Sequence, residues 1–250
     1  MPEPAFDLAS ELTTALTDST AADRSGVWQF VHRFAAAWHL PLASDDGCTD
    51  AELDAAEARL GASLPAALRE AYRLFGRRSD LTSNEDVLLA PEDLFLDPGG
   101  QALVFRVQSH ALAFWGVRVA DLGEADPPVA FTLNLADRSA GSWHGWLDSV
   151  SSACVEMVLS ESLYGEDAVQ HALVDKREQT PADGDLLAAT LTRVPLPEYP
   201  TSGAFGPGVR WFAGDELLAR DDARTWLTIR TATPAALTTA RRSLPGPWST

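Results

Sequence analysis

Apolar residues recur at helical spacing in the first part of the chain. Residues 5–16 place Leu8, Leu12 and Leu16 on one face, and residues 27–38 repeat the pattern with aromatic and aliphatic side chains. Recurrence every three to four residues brings these side chains to one side of a helix. The spacing therefore predicts two amphipathic helices.

The segment LGASLPAALREAYRLFG predicts the joint between two further helices. Thr49 stands three residues before Glu52, the spacing of a capping box that satisfies the first backbone N–H groups of a helix. Gly61 can end that helix in the left-handed conformation. Pro65 suits the first turn of the next helix, whose apolar stripe runs to Gly76.

The periodicity changes to that of β-strands in the middle of the chain. The runs QALVFRVQ and LAFWGVRV, separated by the polar SHA, predict an antiparallel hairpin. PPVAFTLNL predicts a further strand that begins after a proline pair. Residues 146–164 then return to helical spacing and predict one more helix.

The last part of the chain combines a long connection with a regular end. Residues 175–207 are polar and contain prolines, which predicts a connection with one short helix at residues 186–191. The runs GVRWFAG and TWLTIRTA predict two strands that flank an acidic turn at Asp221 and Asp222. Residues 234–244 predict a final helix.

The element order has no βαβα alternation and favours an α+β fold. We predict one antiparallel or mixed β-sheet with helices packed on one face. With 250 residues, 46% of them apolar, the chain can bury a substantial core. We predict a single domain over residues 1–250, with a helical extension at residues 1–45, a central region at residues 49–135 and a C-terminal part at residues 136–250.

The net charge of the chain limits the classes of macromolecule that it can bind. The chain has 19 Lys and Arg against 36 Asp and Glu, a net charge of −17, and residues 79–105 and 145–175 contain no Lys or Arg. Such a chain repels nucleic acids and anionic lipids, which need basic side chains. We expect a basic protein partner, no nucleic acid and no membrane; a merely solvated acidic surface is the alternative.

The sequence contains no pattern typical of a catalytic or metal site. Cys154 lies on an apolar helical stripe and is predicted to be buried, whereas Cys48 is predicted to be exposed in a loop without an activating His or Lys. GAFGPG lacks the spacing of a phosphate-binding loop. The histidines are His32, His39, His110, His144 and His171, and none has paired metal-ligand spacing.

We therefore predict no enzymatic activity, no cofactor and no metal. A nucleophilic Cys48, or a metal held by histidines distant in sequence, is the enzymatic alternative. No apolar run approaches the about 20 residues that cross a bilayer. The first residues, MPEPAFDLASEL, carry acids where a secretion signal carries bases, and two cysteines without a disulfide framework suit a reducing compartment. We expect a cytoplasmic protein.

The segment TDAELDAAEARLGASLPAALREAYRLFG, followed by LLAPEDL and later by a WG-containing strand and a DPPV element, resembles the SUKH superfamily. Its members show an acidic helix and an LG..LP..L...Y...G joint. The resemblance covers residues 49–135; Arg77 and Arg78 follow the joint here, and the family often has Asn before the closing glycine. The motif residues, with structural roles, are Gly61, Leu64, Pro65, Leu68, Tyr72, Gly76, Trp115, Asp126, Pro127 and Pro128.

The resemblance implies an α+β fold and a role without catalysis. Bacterial members are immunity proteins that bind and neutralise toxins of polymorphic or contact-dependent systems, and fungal members are interaction scaffolds that regulate cell-wall synthesis. The charge suits a basic toxin such as a nuclease; a scaffold that binds a self protein is the alternative. The predicted partner-binding residues, in loops around the sheet rim, are Asp80, Glu85, Asp86, Glu92, Asp93, Asp121 and Glu124.

Overall fold

A computed structural model of the protein combines helices with antiparallel sheets, so the α+β class is confirmed. The chain divides into two compact units. The central unit is Ser19–Glu161, and the terminal unit joins Met1–Asp18 to Ser162–Thr250. The structure describes residues 6–18, 20, 22–133, 142–164, 170–175, 183–200, 208–214, 216–223, 226–244 and 248.

The central unit holds most of the helices and the first sheet. Its helices are α2 (Ser25–Trp38), α3 (Asp50–Leu60), α4 (Ala66–Phe75), α5 (Ser79–Thr82) and α6 (Val150–Ser162, whose last residue falls in the terminal unit). Its strands are β1 (Asp86–Leu88), β2 (Phe95–Leu96), β3 (Ala102–Gln108), β4 (Phe114–Arg118), β5 (Val129–Thr132) and β6 (His144–Leu147). Short 3₁₀ turns lie at Pro91–Asp93 and Val119–Asp121.

The first sheet is antiparallel, in the order β1-β3-β4-β5-β6, and β2 also pairs with β3. Arg106, Trp115 and Phe131 are register partners and share one face, which we call the inner face. Arg106 reaches α6 on this side through Glu156. Because side chains alternate along a strand, Val107 belongs to the opposite, outer face.

The helical joint forms as the sequence predicts. Thr49 and Glu52 make the capping box, in which Glu52 Oε2 accepts the Thr49 N–H at 2.7 Å. Gly61 ends α3 with φ of 67°, in the left-handed region. Leu68 and Tyr72 of α4 are fully buried, and the Tyr72 hydroxyl donates to Leu89 O at 2.7 Å. The joint therefore anchors two helices in the core.

One detail of the joint, the place of Pro65, differs from the prediction. Pro65 precedes α4 as its N-cap, because the helix begins at Ala66. Gly76 keeps a right-handed conformation with φ of −61°. A Cβ at Gly76 would lie 2.7 Å from Tyr72 O and 2.9 Å from Cys48 Sγ. Close approach, and not a left-handed turn, requires glycine there.

The DPPV element links the sheet to α6. Asp126 Oδ1 accepts the backbone N–H of Ser151 at 2.9 Å, and Asp126 Oδ2 accepts the Ser151 hydroxyl at 2.6 Å. A carboxylate at this place satisfies a backbone donor in the first turn of the helix. Pro127 is buried, Pro128 is exposed, and β5 begins directly after them, as predicted.

The terminal unit contains a second antiparallel sheet. Its elements are α1 (Leu8–Asp18), β7 (Gln170–Asp175), α7 (Asp183–Thr190), β8 (Thr192–Arg193), β9 (Arg210–Gly214), β10 (Leu217–Asp222), β11 (Trp226–Thr231) and α8 (Pro234–Ser243). The sheet order is β7-β11-β10-β9-β8. Helices α7 and α8 supply Leu187, Leu237 and Ala240 to the core cluster that covers one of its faces.

Three predictions about this architecture are wrong. The chain forms two sheets in place of one. Trp146 and Leu147 end strand β6, and the helix begins only at Val150. Asp221 and Asp222 lie within strand β10 and not in a turn, because Asp221 is buried and binds the guanidinium of Arg210 on the neighbouring strand. The single-domain boundaries stay a prediction.

Candidate protein-binding surface

Helix α3 is acidic in sequence, but its negative charge is largely balanced by arginines. Two of them lie in helix α4 and one directly follows it. The pairs are Arg69 with Asp50, Asp54 and Glu57, Arg73 with Asp50, and Arg77 with Glu52. Hydrogen bonds from Thr49, followed by those from Arg77, lower the pKa of Glu52 to about 2. These carboxylates stabilise the joint and offer little unbalanced charge to a partner.

Two of the predicted partner-binding carboxylates have internal partners. Asp80 lies in α5, not in a loop, and accepts from Arg78 Nε at 2.7 Å and His39 Nδ1 at 3.2 Å. Burial alone would raise the pKa of Asp80, but the bonds from Arg78 and His39 outweigh it and hold this pKa well below its usual range. Asp86, in β1, lies 3.2 Å from Arg106 Nη2.

The other predicted carboxylates lie at the surface. Glu85 directly precedes β1, and Glu92 and Asp93 lie in the 3₁₀ turn between β1 and β2; all three are exposed. Half-buried Asp121 and exposed Glu124 follow β4. Within the described residues, none of these five carboxylates forms an ion pair. Three of them thus line the edge formed by β1 and β2, and two lie beyond β4.

A buried charged cluster, which the sequence analysis missed, lies on the inner face. Arg106 is 1% exposed and donates to Glu156 Oε2 at 2.8 Å and to Glu161 Oε1 at 2.7 Å. Its guanidinium carbon lies 5.0 Å from the centre of the Trp115 ring. Burial would lower the pKa of Arg106, but the facing carboxylates of Glu156, Glu161 and Asp86 raise it overall.

Glu161 also holds the segment that leads into β1. Its Oε2 accepts backbone N–H groups of Asn84 at 2.8 Å and Glu85 at 2.6 Å, and Asp86 N lies 3.3 Å from both oxygens. The cluster therefore fixes the edge strand to α6. A lone arginine in the apolar run LVFRVQ, and glutamates in the apolar run ACVEMVLSESL, are the signals that could have revealed it.

The cysteines are both buried. The prediction of an exposed Cys48 is wrong: it is 6% exposed, and its backbone N–H donates to Tyr72 O at 2.8 Å. The loop lies so close to α4 that a Cβ at Gly47 would be 1.7 Å from Arg73 O. Burial raises the pKa of the Cys48 thiol, which disfavours the nucleophilic thiolate. The predicted burial of Cys154 is confirmed.

The four histidines whose side chains the structure describes are dispersed, and the side chain of His171 lies outside the described residues. His39 binds Asp80, His144 lies 2.9 Å from the Ser142 hydroxyl, and His32 and His110 are exposed. Among the described residues, no three His, Cys, Asp or Glu side chains are placed to hold a metal ion.

No described helix is both long and apolar enough to cross a membrane. Comparisons with protein-family models, curated proteins and solved structures give no match.

Proposed function

We propose that the protein binds a basic protein and that, as the SUKH resemblance implies, it is an immunity protein that neutralises a cognate toxin. The observation that carries the proposal is the division of charge in the central unit. Arg69, Arg73, Arg77, Arg78 and Arg106 are all paired with carboxylates. Glu85, Glu92 and Asp93 remain exposed without an ion-pair partner in the described residues.

This division supports recognition of positive charge. Internal pairing balances these five arginines, whereas Glu85, Glu92 and Asp93 face solvent in a chain whose net charge is −17. A concentrated negative field accelerates association with a basic protein by about 10- to 1000-fold at low salt. Binding over a toxin's basic active-site face would neutralise the toxin without any catalytic step by the immunity protein.

Co-expression with the toxin encoded by the adjacent gene tests the proposal. We expect the protein to restore growth and to co-purify with that toxin. Neither rescue nor binding would contradict the proposal. Binding to a protein of the same cell, without any toxin partner, would instead support the scaffold alternative.

The electrostatic part has its own test. Removing two charges by Glu92→Gln/Asp93→Asn should slow association with the toxin, because it weakens the attractive field. The matched control is Asp45→Asn/Asp148→Asn, which removes two exposed charges elsewhere in the central unit. Added salt should slow the wild type as well, since the screening length is about 8 Å at physiological ionic strength. Association rates independent of salt would exclude steering.

A further inference from the structure

The outer face of the first sheet presents an apolar row across three strands. Val87 of β1 is the register partner of Val107 of β3, and Val107 is that of Phe114 of β4. Val87 is 40% exposed, and Val107 and Phe114 are half-buried. These positions are adjacent and apolar, so they form one continuous strip and not scattered hydrophobic residues.

Among the described residues, the apolar cluster beside the row on the outer face contains no helical residue. Ala102, Val104, Ala130 and Trp143 form its buried part, and Leu89 and Phe95 pack against it together with Val107 and Phe114. Every member of this cluster comes from a strand or a loop. The inner face, by contrast, meets α6 through Arg106 and Glu156. The outer row is therefore left partly open to solvent.

Trp143 packs closely against the outer face at Gly116. A Cβ at Gly116 would lie 2.5 Å from Leu103 O and 3.2 Å from the Trp143 ring. Trp143 is 5% exposed, and its Nε1 lies 3.4 Å from Asp97 Oδ2. Trp143 is thus held in place within the outer face, and a surface that is already ordered loses less entropy on binding.

Negative charge borders the row on the β1 and β2 side. Glu85 precedes the strand of Val87, and Glu92 and Asp93 lie in the turn between β1 and β2. No Lys or Arg occurs in residues 79–105, and exposed Arg59 of α3 donates to Pro91 O and Leu94 O at this turn. Arg118, at the β4 end of the same face, donates to Trp143 O at 2.5 Å. An apolar centre with a charged rim is the general pattern of a protein-binding surface.

We propose that the outer face is the docking surface for the basic partner, which would place apolar side chains on the Val87–Val107–Phe114 row and Lys or Arg side chains beside Glu85, Glu92 and Asp93. This inference rests on the proposed function and names the surface that performs it. The negative charge of Glu85, Glu92 and Asp93 favours a basic partner over a second copy of this chain on this surface. A second copy of this chain would bring one acidic rim towards another, whereas a basic partner complements it.

Binding measurements with the toxin encoded by the adjacent gene, in a catalytically inactive form, test this surface. Val87→Lys should weaken binding by at least about tenfold, because it places a cation among apolar and basic groups of the partner. Leu40→Lys is the matched control: Leu40 is 75% exposed in the loop after α2, and binding should stay within about twofold of wild type. Both variants should retain the wild-type melting temperature within a few degrees.

A second measurement uses the unaltered protein. Amide hydrogen exchange of the complex should show new protection in residues 86–89, 104–108 and 113–116. At about 1 M salt, where the screening length is about 3 Å, the complex should form slowly but persist, because apolar contacts are not screened.

The outcomes separate the two proposals. If the toxin binds wild type but Val87→Lys binds equally well and protection lies elsewhere, the docking surface is wrong and the proposed function stands. Complete loss of binding at high salt would exclude the apolar contact in the same way. If the protein alone forms dimers that Val87→Lys dissociates, the occupant is a second copy. If the wild type does not bind the toxin, the proposed function fails, and the docking surface with it.

Discussion

Arg106 shows how one residue can hold several elements together. Its guanidinium binds carboxylates of α6 and β1, and Glu161 binds the backbone that leads into β1. Removing one partner of a buried ion pair leaves the other charges without compensation in a poorly solvated place. The edge strand β1, which carries Val87 of the proposed docking surface, therefore depends on a cluster on the opposite face.

Arg106→Met is expected to lower the free energy of unfolding by about 3–5 kcal/mol, because it leaves Glu156 and Glu161 buried without a cation. Urea denaturation measures the change. Arg118→Met, on the next strand, is the control: Arg118 is exposed and binds one backbone carbonyl, so its loss should cost less than about 1.5 kcal/mol. Equal effects of the two substitutions would show that the cluster contributes no special stability.

Asp80 should make stability dependent on pH. Its pKa is below the usual range in the folded protein and near 3.9 when unfolded. The folded state therefore gains stability from ionised Asp80 above about pH 4 and loses it as the pH falls towards the folded-state pKa. Asp80→Asn should destabilise the protein at pH 6, and the difference from wild type should shrink at pH 3. Denaturant titrations at both pH values measure this; a difference of the same size at both would contradict the assignment.

At the scale of elements, the contacts of the α3–α4 joint stabilise the fold. Leu68, Tyr72 and Phe75 are buried, and the capping box and Gly61 fix where α3 begins and ends. The arginines of α4 neutralise the acids of α3. The joint is thus part of the scaffold, while the exposed Glu85, Glu92 and Asp93, which form no ion pair among the described residues, lie along β1 and β2.

Leu68→Ala should reduce the free energy of unfolding by about 2–5 kcal/mol, because it leaves a cavity at a fully buried position. Affinity for the toxin, measured where the variant is folded, should not change. Leu40→Ala, at a highly exposed position, is the control and should be nearly neutral. A large loss of affinity in folded Leu68→Ala would place the joint within the binding surface.

At the scale of the whole molecule, the first and the last segments of the chain belong to one compact unit. Helix α1 belongs to the same compact unit as the C-terminal sheet and contacts β9. Leu8 and Leu12 of α1 are buried. The terminal unit thus requires residues separated by most of the chain length, and contacts between residues so distant in sequence slow folding because of the entropy lost on closing the intervening chain.

Deleting residues 1–18 should open the terminal unit, because it removes the buried face of α1. Limited proteolysis should then cleave residues 183–244 faster than in the full chain, and the cleavage rate within Ser19–Glu161 serves as the internal reference. Substituting exposed Thr13 and Thr14 by Ala keeps α1 and should leave the pattern unchanged. A truncated protein with wild-type resistance in residues 183–244 would show that α1 does not stabilise this unit.

The sequence by itself determined the features that depend on neighbouring residues. The caps at Thr49 and Gly61 and the helical stripes around Leu12 and Leu68 arise from contacts within about four residues. The α+β class followed from the order of such elements. The SUKH resemblance and the partner-binding role of the surface carboxylates stay predictions.

Only the tertiary structure decided which charges are internal and which face solvent. Glu161 binds Asn84 from 77 residues away, Arg210 draws Asp221 into a strand, and the approach of α4 buries Cys48. No local pattern specifies these contacts, because each depends on where another element lies. The outer face of the first sheet became recognisable for the same reason: its apolar row joins residues of three strands that only the sheet brings side by side.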